Sequence, residues 1–158
     1  MTEFDTAEVM AEDVAIAPVQ RKAIASFSDT LMSDVTEQGY WASFPVVTME
    51  DKKKLYIAKN DNELLKDYMG VDFELVDLVF DIRQISDPQM GAKNVPCVHL
   101  VCNDGKAYQS TSSGVVNSAC EIVATFGMPD TWDAPIKFRC EETNTNSGYR
   151  YKFLRVLI

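Results

Sequence analysis

The chain has 158 residues, 46% hydrophobic and 25% charged, with a net charge of −9, which suits one well-packed domain with an appendage and leaves little room for two large ones. No apolar run reaches the roughly 18 residues a membrane span needs, and the opening MTEFDTAEVMAED carries acid where a signal peptide carries Lys or Arg. The expectation is therefore a cytoplasmic protein with no membrane partner. The four cysteines, Cys97, Cys102, Cys120 and Cys140, lack Cys-x-x-Cys spacing, and with a single histidine they predict packed thiols and no metal site.

The acid is unevenly spread. Residues 1–74 hold 7 Lys and Arg against 15 Asp and Glu, whereas residues 75–158 hold 8 against 9, and the closing stretch 135–158 holds 5 against 2. A polyanion partner is disfavoured by the total charge but not by the C-terminal end.

In chain order, residues 1–18 read as an acidic mobile tail ending at Pro18, with a short helix as the alternative. Val19 to Met32 carries Ile24, Phe27 and Leu31 at near-helical spacing and predicts an amphipathic helix. Tyr40 to Met49 is aromatic and β-branched with a break at Pro45, and with EDKKK as a charged turn before Leu55–Ala58 it predicts a hairpin. Asn60 and Glu63 form a variant capping box that predicts a two-turn helix ending at Gly70. Residues 19–72 together are expected to form an extension packed on a core of residues 73–158.

That core begins with a long half-buried strand, Phe73 to Ile85, in which Val76, Leu78, Phe80 and Ile82 alternate with Asp77, Asp81 and Arg83. SDPQMGAKNVP follows as a loop of about ten residues, then a strand from Cys97 to Cys102, a tight turn at Asn103-Asp104-Gly105 and a strand from Lys106 to Ser110. Ser112 or Ser113 caps a helix to Phe126, with Val116, Ala119, Cys120 and Val123 on its apolar stripe, stopped by Gly127 and Pro129. The chain closes on a hairpin, PIKFRCEETNTNSGYRYKFLRVLI, with a loop of about five residues. Three strands, one helix and two strands is the order of the OB-fold, a five-stranded Greek-key barrel, so the fold class expected is mainly β, with an unrelated five-stranded α+β sandwich as the alternative.

In the closing hairpin the alternation predicts Ile136, Phe138 and Cys140 on a core face and Lys137 and Arg139 on a basic one, then Tyr149, Tyr151 and Phe153 on one face and Arg150 and Lys152 on the other. Cations alternating with rings suit single-stranded nucleic acid, the charges meeting phosphates and the rings meeting bases. Tyr108, Tyr149 and Tyr151 are the expected stacking platforms, and Lys106, Lys137, Arg139, Arg150 and Lys152 the phosphate contacts; Phe153 or one tyrosine filling the barrel is the competing reading. Lys52, Lys53 and Lys54 read equally well as a phosphate contact and as a solvated loop tip.

Catalysis has little support. Asp77 and Asp81 lie roughly 13 Å apart along one strand face, too far for a carboxylate dyad, and read as solvated charges. His99 has no nucleophile motif beside it and reads as a surface residue. No phosphate-binding glycine pattern or Walker-type lysine occurs, so neither an enzyme nor a cofactor is expected.

From EDKKKLYIA through VHLVCNDGKAYQSTSSGVV, the GMP loop and the terminal hairpin, residues 48–158 resemble the small single-stranded DNA-binding proteins of tailed bacteriophages, most closely at Asp104, Gly105, Lys106, Tyr108, Ser110, Ser112, Gly114 and Val115. The resemblance implies an OB-fold and cooperative, sequence-tolerant coating of displaced strands during phage replication in the bacterial host cytoplasm, without catalysis. The sequence departs from many such proteins in ending on RVLI where they carry an acidic tip, so recruitment through the C-terminus is not expected. The acidic N-terminus is expected to avoid DNA, to occupy the basic groove when DNA is absent, and to serve as the contact for phage replication proteins. An acidic adaptor for a protein partner and an RNA-binding protein are the other two readings.

Overall fold

A computed structural model describes residues 31–158 apart from 90, 145–147 and 149. The expected acidic tail and most of the helix expected over Val19–Met32 lie outside the described residues. The described part opens with helix α1 over residues 31–38, followed by strand β1 (Trp41–Ala42), helix α2 (Met49–Asn60), strand β2 (Glu63–Leu64) and a 3₁₀ turn at Leu65–Tyr68. Then come β3 (Asp72–Asp87), β4 (Gly91–Cys102), β5 (Ala107–Ser110), helix α3 (Ser113–Phe126), a 3₁₀ turn at Pro129–Thr131, β6 (Ile136–Asn144) and β7 (Arg150–Val156).

All seven strands join one sheet in the order β2-β5-β4-β3-β6-β7, with β1 added to β3. β3 is its spine. Its first residues pair with β6 from Asp72↔Arg139 to Leu75↔Ile136, a bulge follows between Leu75 and Asp77, and the rest pairs with β4. A bulge bends a strand and sharpens its twist, which lets one strand serve two partners in a curled sheet. The result is a half barrel with a helix between β5 and β6, consistent with an OB-like fold.

The inner face holds the main core. Leu75, Leu78, Phe80, Val98, Leu100, Phe138 and Cys140 are all but inaccessible, and Leu31, Val35 and Trp41 close over them at the α1 end. The stripe expected on α3, Val116, Ala119, Cys120 and Val123, is buried there, joined by Val115 and Ile122. Cys102 packs with Val98 and Leu100 as its alternation predicts. All four thiols are buried. Burial pushes Cys97 and Cys102 up to about 12 and Cys140 to about 11, so none of these three offers a ready thiolate.

Three local expectations are corrected. The hairpin expected from Tyr40 to Ala58 is a short strand followed by α2. Thr48 caps α2, its hydroxyl accepting from the Asp51 amide at 3.1 Å while the Asp51 carboxylate accepts from the Thr48 amide at 3.1 Å. The apolar period was faint because Ala58 alone is fully buried on α2, so EDKKK passed for a turn. The helix expected from Asn60 to Gly70 is β2 and a single 3₁₀ turn, with Leu65 the one residue of that turn in the core. The loop expected after Ile85 is a continuation of the ladder, Ile82↔Pro96 through Asp87↔Gly91, so β3 and β4 project as a hairpin arm.

Among the described residues the half barrel does not close strand to strand, since β2 and β7 end the sheet. Helix α3 lies along the free edge of β7 instead. The Ser118 hydroxyl accepts from the Leu154 amide at 3.2 Å, using a group that would otherwise invite another chain. At its start α3 comes so close that a Cβ on Gly114 would stand 2.0 Å from the Lys152 carbonyl oxygen. Backbone on both sides leaves nothing to swing away. Gly114→Ala is accordingly expected to destabilise the fold by about 1–3 kcal/mol or more through forced displacement of α3 from β7, seen as a lower melting temperature, whereas Asn117→Ala, exposed on the same helix, leaves it near wild type.

Candidate nucleic-acid interface

The hairpin β6–β7 carries most of the expected binding residues, and its register fixes their faces. Cys140 opposes Leu154 and Phe138 opposes Val156 on the inner side, so alternation puts Lys152 and Arg150 on that side further out and Tyr151, Phe153 and Arg155 on the other, with Lys137 and Arg139. The rings thus share a face with the β6 cations, and Leu154 fills the barrel where Phe153 or a tyrosine was the competing reading. Tyr151 is 45% exposed. Its ring centroid lies 6.0 Å from that of Phe153, and the Arg155 guanidinium sits 5.2 Å from the Phe153 centroid.

The arginines are already engaged. Arg139 donates to Asp72 at 2.8 Å and to Glu141 at 3.4 Å, Arg155 donates to Glu141 at 2.8 Å, and Arg150 donates to Glu142 at 2.8 Å. These partners hold the Asp72 and Glu141 carboxyls below their ordinary range, the Arg139 and Arg155 hydrogen bonds leading in turn. Lys106, Lys137 and Lys152, by contrast, make no ion pair with a described residue.

Two of the expected tyrosines are placed differently or not at all. Tyr108 is buried in the core, 4.3 Å from Phe73 and 5.2 Å from Tyr68 between ring centroids, with its hydroxyl donating to Asp104 at 2.6 Å. Burial and that bond push its phenol well up. Its ring has no free face for a base in this structure. Tyr149 lies outside the described residues.

Lys106 lies with Lys53 and Lys54 in a cavity of about 430 Å³ between α2 and the β4–β5 turn, which Glu50 and Asp51 also line. Of the three lysines read equally as a phosphate contact and as a solvated loop tip, Lys54 bonds Asp77 and lies 4.2 Å from the centroid of Phe44. Lys52 and Lys53 are exposed on α2, and Tyr56, 67% exposed, follows one turn later on the same helix face. Sequence reasoning missed this ring beside two cations. The signal was present as Lys-Lys-x-x-Tyr, and it becomes a face only once Thr48 and Asp51 are read as a capping box.

The face of β3 and β4 read as solvent-facing is covered by α2. His99 is wholly buried and Asp81 is 3% exposed, which corrects both expectations. The Asn62 amide donates to the Ala58 carbonyl at 2.9 Å and faces His99 Nδ1 at 2.9 Å, so Nδ1 accepts and the neutral ring carries its proton on Nε2, 2.9 Å from Asp81 Oδ1. Arg83 reaches Asp81 at 3.0 Å and the Lys59 carbonyl. Asp77, expected to be solvated, accepts from Ser43 at 2.8 Å and pairs with Lys54.

Cys97 completes a cluster with Asp81 and His99 whose ligand atoms lie within 4.8 Å of one another. Its chemistry does not suit a cation. Both ring nitrogens of His99 are committed, the thiol is held protonated by burial, and Arg83 already places positive charge on the carboxylate. The cluster fastens α2 to the sheet.

The family model described as Phage Single-stranded DNA-binding protein matches residues 34–156, most of the chain. No curated protein and no solved structure matches.

Burial alone would push the Asp81 carboxyl up, but hydrogen bonds from His99 and Arg83 outweigh it and hold it below the ordinary value of 3.8. A depressed carboxyl contributes stability in full above that value and loses it as pH falls through the lower folded value. Asp81→Ala should therefore cost about 3 kcal/mol at neutral pH, with the gap to wild type narrowing as pH falls below 3.8; melting curves across pH 2–7 give the test, and a gap constant with pH would assign the loss to packing.

Proposed function

Since the chain belongs to the phage single-stranded DNA-binding protein family, we propose that it coats single-stranded DNA without regard to sequence during phage replication in the host cytoplasm, by stacking bases on rings and neutralising phosphates. It does so without catalysis, on an OB-like half barrel. The observation that carries the mechanism is the exposed Tyr151 beside Phe153, on a strand face that also bears Lys137, a cation with no ion pair among the described residues. A polar-tipped ring left in water suits stacking on a base, and Lys137, opposite Leu157 and six residues further along the same sheet face, suits a phosphate of the same strand. Tyr149, Lys106, Arg139, Arg150 and Lys152 complete the proposed set, the arginines exchanging a carboxylate for a phosphate when DNA binds.

An acidic adaptor is the reading favoured by the −9 charge and by arginines already paired with acids. It differs in one observable, preference for single strands. Stacking is worth about 1–3 kcal/mol per base, so Tyr151→Ala should weaken oligo-dT binding about tenfold with little change in salt dependence, while Lys137→Gln flattens the salt dependence. Duplex of equal length should bind poorly. Equal binding of single strand and duplex by the wild type would favour the adaptor, and an oligo-rU affinity above that for oligo-dT would favour RNA.

A further inference from the structure

The gap between the two ends of the sheet holds a cleft of about 330 Å³. One wall is the end of β5 and the turn after β2, contributing Gln109, Thr111 and Lys66, and the other is β7, contributing Lys152; Ser112 closes it. Two lysines from opposite ends of the sheet line this one cleft, and among the described residues no Asp or Glu lines it and neither lysine has an acid as ion-pair partner. Like charges gathered without a counter-charge repel, and an anion between them removes that cost. The hydroxyls and the amide of the lining are neutral groups able to donate to anionic oxygen. Ser112, which lines the cleft, is also the N-cap of α3 and makes no capping bond with its side chain, so the cleft borders the positive end of that helix.

The neighbouring ring narrows the choice of anion. Tyr151 Cδ2 lies 3.3 Å from where a Cβ on Gly114 would stand, so the exposed ring sits over the start of α3, two residues from Ser112. We propose that this cleft seats a phosphodiester of single-stranded DNA, with Lys66 and Lys152 as its counter-charges, and that the bound strand bridges the two unpaired ends of the sheet. The inference rests on the DNA-binding reading above and adds to it a location and a new residue, Lys66. A base stacked on Tyr151 and a phosphate in the cleft would then belong to one stretch of strand.

The test titrates wild type, Lys66→Gln, Lys152→Gln and the double variant with dT30 and with an abasic 30-mer of the same backbone, each over a range of NaCl. A phosphate contact to a single strand appears as roughly 0.7 in the log–log salt slope, so each single variant should lose about 0.7 and the double variant about 1.4. The abasic strand should weaken by the same factor as dT30, because phosphate contacts carry no base information. Lys66→Arg and Lys152→Arg should keep the slope, which separates charge from folding, and Lys93→Gln on the distant arm should match wild type. If wild type binds dT30 and the two Gln variants keep its slope, the cleft is not the seat while the DNA reading stands. A loss at Lys152 with none at Lys66 places the strand outside the cleft and overturns the proposal likewise. If wild type binds neither strand, both fall.

Discussion

The hydrogen bond between His99 Nε2 and Asp81 is the interaction on which the position of α2 depends. Two polar groups stand on strands whose both faces are covered, and a buried carboxylate without partners would be strongly destabilising. Asn62 satisfies the second ring nitrogen, Arg83 satisfies the second carboxylate oxygen, and both residues also hold carbonyls at the end of α2. Ser43 and Lys54 engage Asp77 in a similar way, four residues back along the strand. Little apolar area joins α2 to the sheet, chiefly Ala58 with Val79 and Ala107. Its position is thus set more by hydrogen-bond geometry than by hydrophobic burial, and that geometry presents Lys52, Lys53 and Tyr56 outward.

The chain carries its charge in a form that total counts conceal. A protein at −9 would be repelled by a polyanion, yet the C-terminal hairpin pairs three arginines with Asp72, Glu141 and Glu142 and leaves its lysines unpaired. The guanidiniums, whose planar forks suit carboxylates, hold strands together, while the lysines, compact and strongly hydrated, take no part in these pairs. Surface pairs of this kind contribute little to stability, about 0–1 kcal/mol each, so exchanging one for a phosphate costs the fold little.

What was legible in the sequence follows how strongly each residue's surroundings are dictated by its neighbours along the chain. β3, the start of β5, α3 and the closing hairpin were readable because each buries one face against the same core, which imprints period two or 3.6 on the apolar residues. α2 was not, because its contact with the sheet is largely polar and its apolar part is narrow, with Ala58 fully buried and Leu55 partly so. Asp81 and His99 were misread for the related reason that strand alternation reports which face a residue occupies and says nothing of what covers that face. Tyr108 shows the same limit from the other side: its polar tip suggested exposure, but Asp104 four residues earlier satisfies the hydroxyl and lets the ring enter the core. The ring at Tyr151 follows from alternation alone, whereas its sharing the outer face with Lys137 and Arg139 follows only from the register that sets Leu154 opposite Cys140.

The arm formed by the outer halves of β3 and β4 is bound to the rest of the molecule by little beyond its own ladder. Past Asp81, β3 pairs only with β4, and before Val98, β4 pairs only with β3, among the described residues. Because side chains alternate with period two, removing or adding two residues on each strand preserves every facing in the barrel, while a change of one would turn the whole distal face over. The arm can therefore lengthen or shorten in paired steps at the Asp87–Gly91 turn without the core registering it. Its amides should also open independently of global unfolding, so that this molecule has one region whose length and local stability are free to diverge while the sheet that supports the interface stays fixed.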